Sequence, residues 1–284
     1  MPLNVKEQIS ASVPFFKSRT GGIVADMAMK LTGMDHFSEV YDRCERDKGP
    51  DFARNVLEDT GVDYLIGGYE RLKELPEGPF ITISNHPYGG VDGLILVDLF
   101  GHLRPDFKVL VNKILSYLRA LDDNFITVTP TGTERTAPTA DSLRGIKLAL
   151  MQIREGHPLG IFPSGAVSDL SLKDRKIRDR PWQEPIIRVI KKAGVPVLPV
   201  RFFDHNFMFY YLLGLINWKV RLARLPREVI NKRGRLTRVG IGDFISVEKQ
   251  KEFSDIREFS DFLRSSVYDM PLPEAFVRRS EIKL

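Results

Sequence analysis

The amino-acid sequence predicts an α/β protein, with a mostly parallel central sheet flanked by helices and a helical lead-in at the N-terminus. Two observations lead there. From residue 62 onward, short apolar runs alternate with segments of helical periodicity, the pattern of strands joined by crossover helices. Over residues 1–60 the apolar positions recur at helical spacing. The expected division is a helical segment at 1–60 and an α/β domain at 61–284. At 284 residues and 43% apolar, the chain is long enough to bury a full core.

In the lead-in, Val24, Met27, Ala28 and Leu31 share a helix face, as do Phe37, Val40, Tyr41 and Cys44. Phe52, Val56 and Leu57 add a third helix that Thr60-Gly61 ends. Their polar faces are mixed in sign, which favours packing on the main domain over lying on a bilayer. Val62–Ile66 and Pro79–Ile83 read as strands around a short helical Tyr69–Lys73, and a helix follows over Asp92–Phe100. Phe107–Val111 and Phe125–Val128 are the next strands. A long helix then carries Leu143, Ile146, Leu150 and Ile153 on one face, with Asp141 as its cap and Gly156 beyond its end.

Leu159–Phe162 is a further strand, followed by a polar loop, a helix over Ile186–Ala193 and the strand Val195–Phe203. Pro196 and Pro199 in that strand imply an edge or a bend. Phe207–Ile216 is the most apolar run of the chain. Beside Lys219, Arg221, Arg224 and Arg227 it suits an interface with lipid headgroups, and equally a buried helix. A strand near Val239–Ile241 and a helix over Asp255–Val267, capped by Ser254, close the chain.

Composition narrows the classes. Cys44 is the single cysteine, which excludes an internal disulfide framework and zinc-finger spacing and fits a reducing compartment. Met1-Pro2-Leu3-Asn4-Val5-Lys6-Glu7 lacks an apolar core of signal-peptide length. No apolar stretch reaches the roughly 20 residues that cross a bilayer. Net charge is +5, yet residues 171–240 hold 17 Lys/Arg against 5 Asp/Glu, a net of +12 that leaves −7 for the remainder. A basic half suits an anionic lipid surface, an acidic carrier protein or nucleic acid. The segment shows no recognised nucleic-acid-binding motif.

The chemistry concentrates in Ser84-Asn85-His86-Pro87-Tyr88-Gly89-Gly90-Val91-Asp92-Gly93, a polar turn between an apolar strand and an apolar helix. Of five histidines, only His86 stands in such a turn with an acid close by. An imidazole is the natural general base near neutral pH, and a carboxylate on its far nitrogen fixes the tautomer. Gly89 and Gly90 admit backbone conformations closed to other residues and let a substrate approach the main chain. On spacing alone Asp92 reads equally as a helix cap and Asn85-His86-Pro87 as a turn. His157 and His205 lack an acid in a comparable setting and read as structural. Ile161-Phe162-Pro163-Ser164-Gly165 again exposes polar groups after a strand, but without the Gly-x-Ser-x-Gly elbow of a serine hydrolase.

Taken in order, Asn85-His86…Asp92, Phe162-Pro163-Ser164-Gly165 and Val195-Pro196-Val197-Leu198-Pro199-Val200 resemble the successive motifs of the glycerolipid acyltransferases. The resemblance spans roughly residues 60–245, and 61–284 is then the acyltransferase domain. The turn Asn85-His86-Pro87-x-Gly89-Gly90-x-Asp92-Gly93 and the segments Leu225–Glu228 and Asn231–Gly234 are most similar to the branch that includes O-acyltransferases of ornithine-lipid and glycine-lipid synthesis. It implies His86 as general base and Asp92 as its orienting partner. It also implies substrate contacts at Asn85, Gly89, Gly90, Phe162, Pro163, Ser164, Gly165, Arg135 and Arg201. Backbone N–H groups around Gly89 and Gly90 are expected to meet the oxyanion. No metal or other cofactor is expected, acyl carrier protein or coenzyme A thioester being the co-substrate and a lyso-lipid the acceptor.

Two departures from the phosphate-acceptor enzymes point to a lyso-aminolipid. The spacing is His-x5-Asp, one residue longer than theirs. Ser164 stands where they carry Glu, and their second-motif arginine has no match near Val128–Gly132, with Arg135 the nearest. The expectation is a peripheral enzyme on the cytoplasmic, anionic face of a membrane. A lysophosphatidate-type phospholipid acyltransferase and a non-catalytic lipid-binding member of the same fold are the alternatives.

Overall fold

The computed structural model describes residues 27–128 and 140–284. Its strands are β1 (Asp63–Gly67), β2 (Ile81–Ser84), β3 (Lys108–Asn112), β4 (Phe125–Val128), β5 (Leu159–Ile161), β6 (Asp169–Ser171), β7 (Lys176–Arg178), β8 (Val197–Phe202), β9 (Leu236–Ile241) and β10 (Phe276–Arg278). Eight of them form one sheet in the order β10-β1-β9-β8-β2-β5-β3-β4, and β6 and β7 form a separate hairpin. All neighbours in the large sheet pair parallel except β8 with β9 and β1 with β10.

Helices α1 (Met34–Cys44), α2 (Gly49–Asp59) and α3 (Gly90–Leu103) cover one face. Helix α3 is apolar on every side and buried from Val91 to Gly101, as a helix sandwiched between the sheet and another helix must be. Gly101 lets α2 close onto it, since a Cβ there would stand 2.6 Å from Cγ of Pro50. Helices α4 (Ala140–Arg154), α5 (Glu184–Ala193) and α10 (Ile256–Tyr268) cover the opposite face. Strand residues alternate between the two cores: Ile81 and Ile83 of β2 face α5 and α10, while Phe80 faces α3. Helices α6 (Met208–Ile216), α7 (Trp218–Ala223) and α8 (Leu225–Ile230), with the β6–β7 hairpin, stand over the carboxyl ends of the central strands. A short α9 (Val247–Lys251) precedes α10.

Four expectations change. Val195–Phe203 is not an edge: β8 lies between β9 and β2. Pro199 is tolerated because it lies between the last β8–β9 pair, Val200 with Ile241, and the bridge of Val197 to Ile245, where the chain has left the β9 ladder and Gly242 N–H donates to the Pro199 carbonyl (2.9 Å). Helix α4 begins at Ala140, which puts Asp141 inside it. Its inward face is also not the leucine stripe, for Leu143 is exposed while Gly145, Ala149 and Ile153 are buried. The backbone of α4 closes onto β4 at Gly145, where a Cβ would stand 2.6 Å from the Thr127 carbonyl oxygen. Asp255, not Ser254, caps α10, accepting from the N–H groups of Arg257 and Glu258.

Candidate active site

Strands β8, β2 and β5 run parallel and adjacent, so the loops after their carboxyl ends meet at one place, where open α/β sheets bind ligands. His86 leaves β2 there, Phe162 leaves β5 and Asn206 follows β8. Gly89, with φ of 79° and ψ of −123°, turns the chain into α3 in a conformation costly to a side-chain residue. Leu225 and Val167 leave no room for a Cβ at Gly89, their methyl carbons standing 2.8 and 3.2 Å away.

That turn brings Nδ1 of His86 to 2.9 Å from Oδ2 of Asp92. The contact is oblique to the ring's N–H direction, a misalignment common before substrate is bound. The same Oδ2 accepts the backbone N–H groups of Tyr88 (2.9 Å) and Gly89 (3.0 Å). Asp92 is therefore cap and imidazole partner at once, reaching back from the first turn of α3. It has no exposed surface, and burial raises its carboxyl above the usual range against the opposing pull of His86. The Phe162 ring stacks on the imidazole, centroids 4.1 Å apart. With Nδ1 turned to Asp92, Nε2 is the nitrogen left for a reacting group, on a side chain that keeps 18% exposure.

A second carboxylate, which no sequence motif singles out, holds the histidine's main chain. Asp179, buried in the loop after β7, accepts His86 N–H (3.1 Å) and the Ser168 hydroxyl (2.6 Å) on Oδ1, while Trp182 approaches Oδ2 at 3.3 Å. Ser168 N–H in turn donates to the His86 carbonyl (2.9 Å). Burial raises the Asp179 carboxyl as well. From the other side, the Tyr211 hydroxyl donates to the Pro87 carbonyl (2.8 Å), and the Asn206 amide donates to the same carbonyl at 3.2 Å. Lys232, buried beneath the turn, donates to the Asn206 side-chain oxygen. Asp179 lies 93 residues from His86 between two arginines, and no local pattern marks it.

The remaining site expectations divide. Asn85 exchanges two 2.8 Å hydrogen bonds with the backbone of Phe202, N–H to Oδ1 and Nδ2 to carbonyl, so its amide is spent tying the turn to β8. Gly89 N–H is taken by Asp92 and is not free for an oxyanion; Gly90, first in α3, has no intrahelical acceptor for its own. The Ser164 hydroxyl donates to the Ala166 carbonyl (2.8 Å) and the Pro163 carbonyl accepts Gln183 N–H (2.9 Å). Gly165, at φ +64°, has the Gln183 side chain where a Cβ would go. Arg201 donates to the carbonyls of Tyr268 and Met270, which makes it a brace to the end of α10. Arg135 lies outside the described residues.

His157 has an acid beside it, Asp106, 2.8 Å from Nδ1, but not in a setting comparable to that of His86. That pair sits before the start of β5, at the opposite end of the sheet from the turn, with the histidine side chain 41% exposed. His102 likewise touches Asp98, a carboxylate held by Arg279 and Tyr64. An imidazole beside a carboxylate is thus common in this fold, and the place of His86 at the carboxyl ends of the strands sets it apart. Among the described residues no group of acidic, histidine or cysteine side chains could hold a metal ion.

The sequence model of a family described as Acyltransferase matches residues 43–272, the turn and all but one strand of the large sheet included. The chain belongs to that acyltransferase family. It is also similar to two lyso-glycine lipid O-acyltransferases. One, from Bacteroides thetaiotaomicron, is 24% identical over 255 residues, 87% of this chain and 89% of the relative. The other, from Phocaeicola vulgatus, is 25% identical over 230 residues, 78% of each chain. The turn, the ring stack and the braces of this acyltransferase all lie within the matched region. No helix among the described residues is long and apolar enough to cross a membrane.

Proposed function

We propose that the enzyme moves a fatty acyl group from an acyl thioester, carried by acyl carrier protein or coenzyme A, to the hydroxyl of a lyso-aminolipid. The observation that carries this reading is the His86–Asp92 contact of 2.9 Å with Phe162 stacked on the ring, in a chain similar to lyso-glycine lipid O-acyltransferases. Nε2 of His86 takes the proton as the acceptor oxygen attacks the thioester carbonyl carbon. The ring then becomes an imidazolium whose charge Asp92 balances. Collapse of the tetrahedral adduct breaks the C–S bond, and the proton on Nε2 passes to the departing thiolate. The enzyme is returned unchanged, with neither a metal nor a covalent enzyme intermediate in these steps.

The surface supports a peripheral enzyme on the cytoplasmic, anionic face of a membrane. Tyr210 and Tyr211 of α6 are buried, whereas Met208, Phe209, Leu212, Leu215 and Ile216 are exposed and Trp218 continues the patch on α7. Lys219 and Arg224 flank it, each over an aromatic ring. An apolar patch edged by cations suits insertion among anionic headgroups. This patch is carried by the segment that packs Leu225 onto the Gly89 turn, so docking brings the turn to the lipid surface.

The test offers acyl carrier protein and coenzyme A thioesters with a panel of lyso-lipids, glycine-, ornithine- and glycerophosphate-based, and reads diacylated product by mass spectrometry. His86→Ala should abolish the product while leaving the thermal transition in place. Turnover retained by that variant would sink the mechanism, and turnover of the glycerophosphate acceptor alone would sink the aminolipid assignment.

A further inference from the structure

A cavity of about 620 Å³ opens on the β8–β9 side of the turn, with Tyr88, Asn206, Phe207, Lys232, Arg235 and Arg238 in its wall. Its charges do not cancel. Asp204 is fully used by Arg238, which it meets through Nε (3.0 Å), Nη2 and the backbone N–H (2.9 Å). Among the described residues Lys232 contacts no carboxylate: its ammonium donates to the Asn206 side-chain oxygen and the Glu228 carbonyl and lies 4.5 Å from the centre of the Tyr88 ring. Glu228 and Asp92 attract it from farther off, the first bonded to Phe207 N–H and Asn231, the second to His86. Arg235 stacks on Phe207 at 4.0 Å and forms no ion pair among the described residues.

The cavity's wall runs on into an apolar strip. Phe207, the aromatic beneath Arg235, leads into the exposed Met208, Phe209 and Leu212 of α6. A cationic pocket continuous with an exposed apolar strip matches a single-chain amphiphile with an anionic head. Coenzyme A would instead bring a polar nucleotide to an apolar surface. We infer that this cavity seats the anionic headgroup of the lyso-lipid acceptor, with Arg235 and Lys232 as its cations. Tyr88, two residues from His86, is the shared wall that relates headgroup to chemistry. The inference rests on the acyl-transfer reading and adds the recognition that selects its acceptor. Burial lowers the Lys232 ammonium to about 8, so an anion placed beside it recovers a charge the fold has left short of partners.

Binding is measured by calorimetry at pH 7, without turnover, using N-lauroylglycine, its methyl ester and coenzyme A as probes. The wild-type enzyme should bind the acid about tenfold more tightly than the ester, the size of one charge-assisted contact. Arg235→Ala should remove that gap, Arg235→Lys should keep part of it, and neither should change the affinity for coenzyme A by more than about twofold. Equal affinity for acid and ester in the wild type would overturn the assignment, as would a loss falling on coenzyme A. Because these readings need no catalysis, selective acid binding by an enzyme that fails to acylate lyso-lipids would fault the proposed reaction and leave the anion site standing.

Discussion

The backbone N–H of His86 donates to Oδ1 of Asp179 at 3.1 Å, across 93 residues of sequence. Ser168 closes the bracket, with its hydroxyl on that same oxygen and its N–H on the His86 carbonyl. Asp179 touches no part of the imidazole that would meet substrate, so it is a positioning residue. Asp179→Ala should strand three donors, His86 N–H, the Ser168 hydroxyl and the Trp182 indole N–H, costing about 1–3 kcal/mol of stability, and should lower kcat about 10- to 100-fold by loosening the proposed base. Asp179→Asn keeps an acceptor at Oδ1 and should recover most of kcat, with KM for the thioester unchanged in both. Steady-state kinetics beside a urea titration check this; a KM effect without a kcat effect would contradict it.

Asp92 makes a contrasting case, because its carboxylate is both useful and costly. Burial raises its folded-state pKa above the unfolded value of about 3.9. Below pH 4 both states hold the proton; above it the unfolded chain releases the proton first, so the wild type loses stability against a neutral isostere as pH rises. Asp92→Asn retains an oxygen for the N–H groups of Tyr88 and Gly89. Its stability relative to wild type should therefore climb between pH 4 and 7 in chemical denaturation. Activity should fall by about 10³-fold or more, since the amide neither charge-balances the imidazolium nor fixes its tautomer.

Lys232 carries the opposite linkage. Burial lowers its folded pKa to about 8, against about 10.4 unfolded. Below pH 8 both states are protonated and the burial cost is fully present; between 8 and 10.4 the unfolded state holds the extra proton, so stability rises with pH. The full rise is on the order of 3 kcal/mol, since each tenfold change in proton affinity is worth about 1.4 kcal/mol. Lys232→Met should lack it, so the difference in unfolding free energy between the two proteins should move in favour of wild type from pH 7 to pH 10.

Much of this fold is legible in the chain because β2, β3, β4, β5 and β8 are short apolar runs that could be little else. Legibility fails where tertiary contacts override local pattern. Leu143 looks like core and is exposed, because Gly145 lets the α4 backbone close onto β4. The strands β6 and β7 read as a polar loop because their side chains are half-buried or exposed. In the site, His86 and Asp92 are six residues apart and carry their own geometry. Asp179, Asn206 and Lys232 reach the turn only through the sheet's topology. Proximity to an acid is not itself the signal, for His102 and His157 have acids too.

Gly89 concentrates the turn's backbone demand. Gly89→Ala would combine a φ of +79° with a Cβ 2.8 Å from a Leu225 methyl, strain on the order of 1–3 kcal/mol. Adding Leu225→Ala should relieve the clash but not the dihedral. The double variant should therefore recover part of the thermal stability that Gly89→Ala loses, while activity stays low because the turn still cannot hold Asp92 against His86. Full recovery of activity would mean that the turn tolerates another path.

The exposed apolar face of α6 and α7 allows the proposed lipid docking to be tested apart from the chemistry. Ile216 is 84% exposed and Trp218 54%, so neither is needed for packing, and replacing both should move the thermal midpoint little. If this face enters the bilayer, Ile216→Asp with Trp218→Ala loses about 2 kcal/mol or more of apolar insertion and places a carboxylate among anionic headgroups. Cosedimentation with vesicles rich in anionic lipid should fall at least tenfold. High salt should weaken wild-type binding without abolishing it, because the charged edge is screened and the apolar insertion is not. Turnover of vesicle-borne acceptor should drop with binding, whereas turnover of a short-chain acceptor free in solution should fall far less. Equal losses on both acceptors would assign Ile216 and Trp218 to the chemistry and remove the bilayer from this face.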